Sequence, residues 1–405
     1  MKKLMIASFL VGVVALNAST VAEAFSEGSV SGEIRLGYIQ QENESNPNSY
    51  ATALGGILKY ETAPWNDFKL GVAGYISQKV PFTTGTQEKL NPDFFDADGD
   101  SFVYVGEAYM EYADSDVTVR LGRLLIDTPF LETDDVRMLP NTFEGAMAMY
   151  HGIEKTTLSA GYLQRWAGFD SPRGHTDSIN EFKKFGENHD SNGVFLLGGT
   201  NESIDNLALQ VWGYRVDKVT DALYTDAAYT LCLSETAGIK FAAQYATFDE
   251  KEENIGVKSG IDGSVYGLGV NVNVGMLTLG VAMNRAFNDA GKYVMNGLGG
   301  GPYYTSMEEM TIDGMEDATA YQVSSEVDMA LLGVEGLTFT ALYGEFKSTP
   351  MDAKITEMDI VVMYHISETL STDVSYAKIE DRNNNFDAGN DAGYSRLLAR
   401  LNYKF

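Results

Sequence analysis

Ser395-Arg396-Leu397-Leu398-Ala399-Arg400-Leu401-Asn402-Tyr403-Lys404-Phe405 is a strand written in two alternating alphabets. Counting back from Phe405, one face reads Phe405, Tyr403, Leu401, Ala399 and Leu397, while the other reads Lys404, Asn402, Arg400, Leu398 and Arg396. The first face suits lipid and the second suits water. An open sheet cannot cross a bilayer, because its edge amides would go unpaired in hydrocarbon, so the segment implies the last strand of a closed barrel.

At the other end, Lys2 and Lys3 precede an apolar run from Leu4 to Leu16, and Ala22-Glu23-Ala24 fits a small-x-small cleavage site. Residues 1–24 read as a secretory signal peptide and residues 25–405 as a single barrel domain, with Phe25 the first mature residue. The apolar run is shorter than the roughly 20 residues a spanning helix needs. A secreted chain with a barrel terminus points to a bacterial outer membrane.

Composition narrows the class. The 405 residues include 41 Gly, 23 Tyr and 20 Phe but 9 Pro and 1 Cys, which suits many strands, aromatic girdles and tight turns. Mean hydropathy is −0.16, as expected when half of every strand faces water. Cys232 has no partner for an intrachain disulfide and reads as a small residue near a turn. A net charge of −28 argues against nucleic acid as a partner, and an acidic pore would favour cations. The same charge on outer loops would keep them solvated beside lipopolysaccharide.

Period-2 segments recur near 30–40, 50–60, 68–77, 103–112, 117–123, 145–151, 156–166, 192–200, 206–215, 221–230, 238–246, 264–274, 276–284, 319–328, 337–346, 355–365, 370–379 and 394–405, eighteen in all. Connections of a few residues alternate with long polar ones at 78–102, 124–144, 167–191, 247–263 and 285–318, the sidedness of a bacterial barrel. The two-faced code persists within strands. Val30, Ile34, Leu36 and Tyr38 alternate with Ser31, Glu33 and Arg35; Tyr104, Ala108, Met110 and Tyr112 alternate with Glu107, Tyr109 and Glu111. The expected fold is all-β, an antiparallel transmembrane barrel of eighteen strands, too wide for side chains to fill.

The connection after the fifth strand is long yet apolar. A solvent loop has no use for Leu124, Leu125, Phe130, Leu131, Met138, Leu139 and Phe143, whereas a loop folded into the lumen could seat Phe130, Leu139 and Phe143 on the inner wall. Glu132, Asp134, Asp135 and Arg137, with Glu144 at the segment's end, are then the candidate pore constriction. The run Gly122-Arg123-Leu124-Leu125-Ile126-Asp127-Thr128-Pro129, followed by Asp134-Asp135, Arg137, Leu139-Pro140 and Thr142-Phe143-Glu144-Gly145, resembles the third loop of the outer-membrane porin D (OprD) family. Tyr266-Gly267-Leu268-Gly269 and the Gly299-Gly300-Gly301 run resemble later positions of that family.

The resemblance implies an eighteen-stranded monomeric channel with inward loops, an eyelet, and basic wall residues facing acidic ones. Arg35, Arg120, Arg396 and Arg400 have inward parity and are the basic-wall candidates; Arg123 has outward parity at its strand's end. In barrels of this kind the terminal Leu401, Tyr403 and Phe405 would be read by the barrel-assembly machinery. This chain is more acidic than the family pattern, so a general cation-preferring pore and a specific channel for amino acids, peptides or small carboxylates both stay open.

Other clusters yield little. Asp96, Asp98 and Asp100 begin like a calcium loop, but position twelve is Glu107, inside an expected strand, and the stretch reads as an ordinary acidic loop. His151, His175, His189 and His365 lack metal spacing, and no Gly-x-Ser-x-Gly elbow or other nucleophile-base set marks a barrel enzyme. An adhesin acting through its loops is the remaining rival. No cofactor is expected; small polar or ionic solutes, outer-membrane lipid and lipopolysaccharide are the expected partners.

Overall fold

The computed structural model describes residues 17–171, 179–186, 191–254, 257–295, 297–299, 301–383 and 393–405. Eighteen strands form one antiparallel sheet: β1 Ser29–Asn43, β2 Ser49–Glu61, β3 Phe68–Lys79, β4 Phe102–Ala113, β5 Val117–Leu124, β6 Thr142–Ile153, β7 Thr156–Ala167, β8 Val194–Asn201, β9 Leu207–Val216, β10 Thr220–Ser234, β11 Ala237–Glu250, β12 Gly263–Val274, β13 Leu277–Phe287, β14 Ala318–Asp328, β15 Leu337–Ser348, β16 Ala353–His365, β17 Leu370–Asp381 and β18 Tyr394–Lys404. Each pairs with its sequence neighbours. β1 also pairs with β18, from Glu33 opposite Lys404 to Asn43 opposite Tyr394, which closes the barrel and leaves no edge. Phe405 and Gly32 extend that seam by exchanging backbone hydrogen bonds of 3.1 Å.

The two faces invert the usual rule for soluble proteins. Val30, Leu58, Leu197 and Val323 are exposed on the outside, whereas Arg35, Glu107, Glu357 and Asp359 are buried on the inside. Lipid accepts the first set, and a charge placed among them would cost about 2–4 kcal/mol at the bilayer midplane. One strand departs from simple alternation. In β4, Val105 pairs with Gly74 while Glu107 pairs with Ala73, so Gly106 bulges. The extra residue shifts parity, and Tyr104, expected on the outer face, points inward with Phe102 against Tyr75, 5.5 Å between the two Tyr ring centroids. Only glycine fits the bulge, because a Cβ at Gly106 would meet the Tyr75 ring at 2.7 Å.

All turns at one end are short. At the other end most connections are long, but 44–48, 217–219 and 349–352 are short as well, so the expected alternation of long and short is incomplete. A helix, α1, Val21–Ser26, is capped by Thr20 and lies along the turn after β2, where Ala63 N donates to Ala24 O at 2.9 Å. Residues 1–16 of the expected leader, and His175 and His189, lie outside the described residues.

Candidate functional site

Residues 125–141 run across the inside of the barrel and pack on its inward side chains. Phe130 is fully buried, edge-on to Tyr214 of β9, Tyr224 of β10 and Phe248 of β11, with centroids 5.5, 5.6 and 5.5 Å away, and to Tyr303 at 6.3 Å. Leu139 and Met138 join the opposite cluster, with Phe94, Ile39 of β1 and Leu398 of β18. Phe143 belongs to β6 itself and stacks on Trp166 and Phe185.

The charges of this segment divide at Asp134, whose φ of +28° turns the chain so that successive carboxylates part. Glu132 and Asp134 line the open interior. Asp135 turns to the wall, where Arg35 grips it with Nη1 and Nη2 at 2.6 Å each. Arg35 also binds Asn402 Oδ1 and Glu33, both at 2.6 Å, and the Met138 carbonyl at 3.0 Å. Arg400 holds Asp373 at 2.8 Å and donates to the carbonyls of Asp135 and Arg137. Burial alone would raise the Asp135 carboxyl, but the charge and hydrogen bonds of Arg35, with Arg400 and Lys404 behind, bring it below the usual carboxylate range.

Arg137 completes a four-member ring. Its Nε lies 3.0 Å from Asp93 and its Nη2 3.5 Å from Glu309; Arg396 pairs with Glu309 through Nη1 and stands 3.7 Å from Asp93. All four are nearly buried, so the ring locks three loops and the β18 wall together. Arg120 is elsewhere, on β5, bound to Glu111 at 2.5 Å.

Glu144 is not part of the constriction. It shares the outward face of β6 with Ala146 and Ala148 and sits between Arg123, 3.2 Å away across β5, and Arg165, 2.5 Å away across β7. Its place one residue from the inward Phe143 sets that direction, since neighbours on a strand face opposite sides. Asp96 closes a turn on itself, accepting from the backbone of Asp98 and Asp100, and among the described residues no His, Cys, Asp or Glu group could hold a metal. Leu401, Tyr403 and Phe405 are exposed on the outer face, with the two rings stacked.

A second connection, read from sequence only as a long polar loop at 285–318, also turns inward in its described residues 288–295, 297–299 and 301–317. Inward polar side chains on β11, β13, β14 and β16 read its backbone. Gln244 of β11 donates to Pro302 O at 2.9 Å and accepts from Tyr304 N at 2.8 Å; Asn284 of β13 accepts from Thr305 N at 3.0 Å; Gln322 of β14 donates to Ser306 O at 3.2 Å. On β16, Asp359 accepts from Glu308 N, and Glu357 from the amides of Glu309 and Met310. Gly267 and Gly344 leave the room this needs, because a Cβ there would meet Asn284 at 2.4 Å and Met307 at 2.3 Å. The loop clasps the first one twice: Leu298 N donates to Phe130 O at 2.6 Å, and Glu309 holds Arg137. The signal available in sequence was the set of inward-parity amides Gln244, Asn284 and Gln322.

Both loops border an open cavity of about 950 Å³. Its lining carries Asp127, Glu132, Asp134, Asp170, Asp226, Glu308, Glu309, Asp313 and Glu326 against Arg137, Lys240 and Arg396. Among the described residues that is nine carboxylates to three cations, an excess of negative charge. Burial pushes the Asp313 carboxyl up to about 6.

The profile of the family described as outer membrane porin, OprD family, matches residues 87–405. No curated protein matches the chain in sequence. Among solved structures, the chain resembles Pseudomonas aeruginosa OccK9 (OpdG), with 18% identity, a TM-score of 0.78, and 94% of this chain and 99% of that one covered. OpdL of the same organism gives 18% identity, 0.76, and the same coverage, and OpdK solved with vanillate gives 17% and 0.77, again over 94% and 99%.

Proposed function

The chain belongs to the OprD family of outer membrane porins, a channel of the bacterial outer membrane and not an enzyme, and from that premise we propose that small polar and charged solutes diffuse passively through a constriction built by both inward loops, with cations preferred. The observation that carries this is the cavity lining, which among the described residues holds nine carboxylates to three cations. In a confined, weakly screened passage that imbalance raises the local concentration of cations and lowers that of anions. Glu132, Asp134 and Glu308 face the passage, while the ring of Asp93, Arg137, Glu309 and Arg396 forms a neutral, rigid border.

A carboxylate-specific channel would use the arginines as a ladder, and OpdK is described with the carboxylate vanillate. Here Arg35, Arg396 and Arg400 are each engaged by protein carboxylates, so an anionic solute has to displace Asp135, Glu309 or Asp373 first. We assign the exposed apolar wall to lipid and lipopolysaccharide, the exposed Leu401, Tyr403 and Phe405 to the barrel-assembly machinery, and residues 1–24 to a leader whose removal leaves Phe25 at the amino terminus of the outer-membrane form. The test is the reversal potential of the reconstituted protein in a potassium chloride gradient. Preference for potassium that fades as salt rises and the Debye length falls from about 10 Å toward 3 Å supports the assignment; preference for chloride refutes it.

A further inference from the structure

The outer wall carries a patch that a lipid-facing sheet has no use for. Lys347 on β15 is the register partner of Lys354 on β16, and Arg382, next after β17, donates its backbone N–H to Lys354 O at 2.8 Å. Three cations therefore stand side by side on adjacent strands. All face outward, because Phe346, Ile355 and Ile379 beside them are buried inward. Like charges directly opposite across a sheet destabilise it, so the row calls for an anion.

The protein supplies only part of one. Glu345 pairs with Lys354 at 3.1 Å, and Glu380 with both Lys378, at 2.6 Å, and Arg382. Asp352, at the tip of the turn between β15 and β16, accepts from Asn383 Nδ2 at 3.2 Å. Lys347 is exposed and has no ion-pair partner among the described residues. The wall here thus presents Lys347, Lys354, Lys378 and Arg382 with Glu345 and Glu380 among them and Asp352 and Glu44 at the patch's edge, and of the four cations Lys347 is the one left without an ion pair among the described residues, in a chain whose net charge is −28.

Height identifies the ligand. Below the patch the outward positions are Tyr343, Met358 and Ile360, all exposed and apolar. Lys347 lies four residues beyond Tyr343, about 13 Å along the strand and roughly 10 Å along the membrane normal at a tilt of about 40°. That is the level of the headgroups beside the hydrocarbon core.

We propose that Lys347, Lys354 and Arg382 bind the phosphate of a phosphorylated outer-leaflet glycolipid of the lipid A type, holding it against the β15–β17 wall. Arg382 offers a planar fork and the lysines point charges to the phosphate oxygens, while Tyr343, Met358 and Ile360 receive acyl chains. The assignment rests on the outer-membrane placement given above.

The test uses the purified full-length barrel in detergent, with lipid A, dephosphorylated lipid A and inorganic phosphate as probes and native mass spectrometry as the readout. Lys347→Gln combined with Lys354→Gln and Arg382→Gln should lower lipid A binding by about tenfold or more, with no such loss for the dephosphorylated lipid. Lys347→Gln alone breaks no ion pair among the described residues and should still lower it by about twofold or more, which covers the case of a triple variant that folds poorly. Equal binding by wild type and Lys347→Gln, or equal binding of phosphorylated and dephosphorylated lipid, overturns the proposal in favour of acyl contact alone. Displacement by millimolar inorganic phosphate overturns it in favour of a small-anion site. Single-channel conductance separates the two claims: a failed lipid site leaves it at the wild-type value, whereas a failed channel assignment shows no conductance for the wild type.

Discussion

Phe130→Ala should unmoor the first inward loop. The ring is fully buried and meets four others edge-on, three on the barrel wall and one, Tyr303, on the second loop. Removing a buried Phe costs about 3–5 kcal/mol, and because its partners lie across the lumen the loss falls on loop docking rather than on the sheet. Taking the lower figure, the undocked-to-docked ratio rises by about two orders of magnitude, enough to make a rare open state visible in single-channel records. The main-chain bond from Leu298 N to Phe130 O survives, so the loop should flicker rather than leave. Planar-bilayer recordings should then show larger mean conductance or excess open-channel noise, with normal heat-modifiable mobility of the barrel. Phe143→Ala is the control: its ring packs on Trp166 and Phe185 within the β6–β7 region, so it should lower thermal stability with a smaller effect on noise. Phe130→Ala traces that match wild type in both conductance and noise, at normal folded yield, would refute the docking role.

Asp135→Asn leaves the Arg35 charge buried with Glu33 as its remaining carboxylate, so conductance substates should appear with little change in ion selectivity, as read from open-level histograms and reversal potentials of the same channels. For Asp313, burial raises the carboxyl from 3.8 to about 6, so it is neutral below that pH and charged above it. Potassium preference should therefore rise between pH 5 and pH 7 in bilayer recordings. The sign for stability is the opposite: a raised acid stabilises the docked loop fully below about 3.8, and that contribution is lost as pH rises through about 6. Deletion of Phe405 removes both the exposed terminal ring and the two backbone bonds to Gly32, and should cut the heat-modifiable species in outer-membrane fractions; unchanged assembly would count against a role for the terminus.

Strand positions were legible because each residue of a barrel wall chooses between lipid and water, and the terminal strand states that choice most cleanly. Boundaries moved outward by a few residues, as in β10, where Leu231, Cys232 and Leu233 continue the strand expected to stop at 230. Tyr104 was misplaced because a bulge is a property of two strands at once, and the glycine that permits it, Gly106, looks like any other in sequence. Glu144 falls on β6, which begins at Thr142, three residues before the alternation at 145–151 becomes visible in sequence, and the strand's alternation sends it outward. The pairing of the arginines is hard to read from spacing: Asp93 and Glu309 reach Arg137 and Arg396 from connections distant in sequence, and only the course of those connections through the barrel brings them together, whereas Asp373 is the register partner of Arg400 on the neighbouring strand. The second loop escaped for a related reason, since its hold is on backbone amides, which carry no sequence signature, through Gln244, Asn284 and Asp359 spread over more than a hundred residues.

The central claim is that loop carboxylates facing the lumen set the preference for cations. Reversal potentials of Glu132→Gln combined with Asp134→Asn, compared with wild type in the same potassium chloride gradient, test it most directly. Both side chains border the cavity, and the wall-bound Asp135 with its Arg35 clamp is untouched. The expected result is a clear fall in potassium preference, largest at low salt where the Debye length is about 10 Å. A reversal potential identical to wild type at low salt would place the selectivity elsewhere and contradict the account.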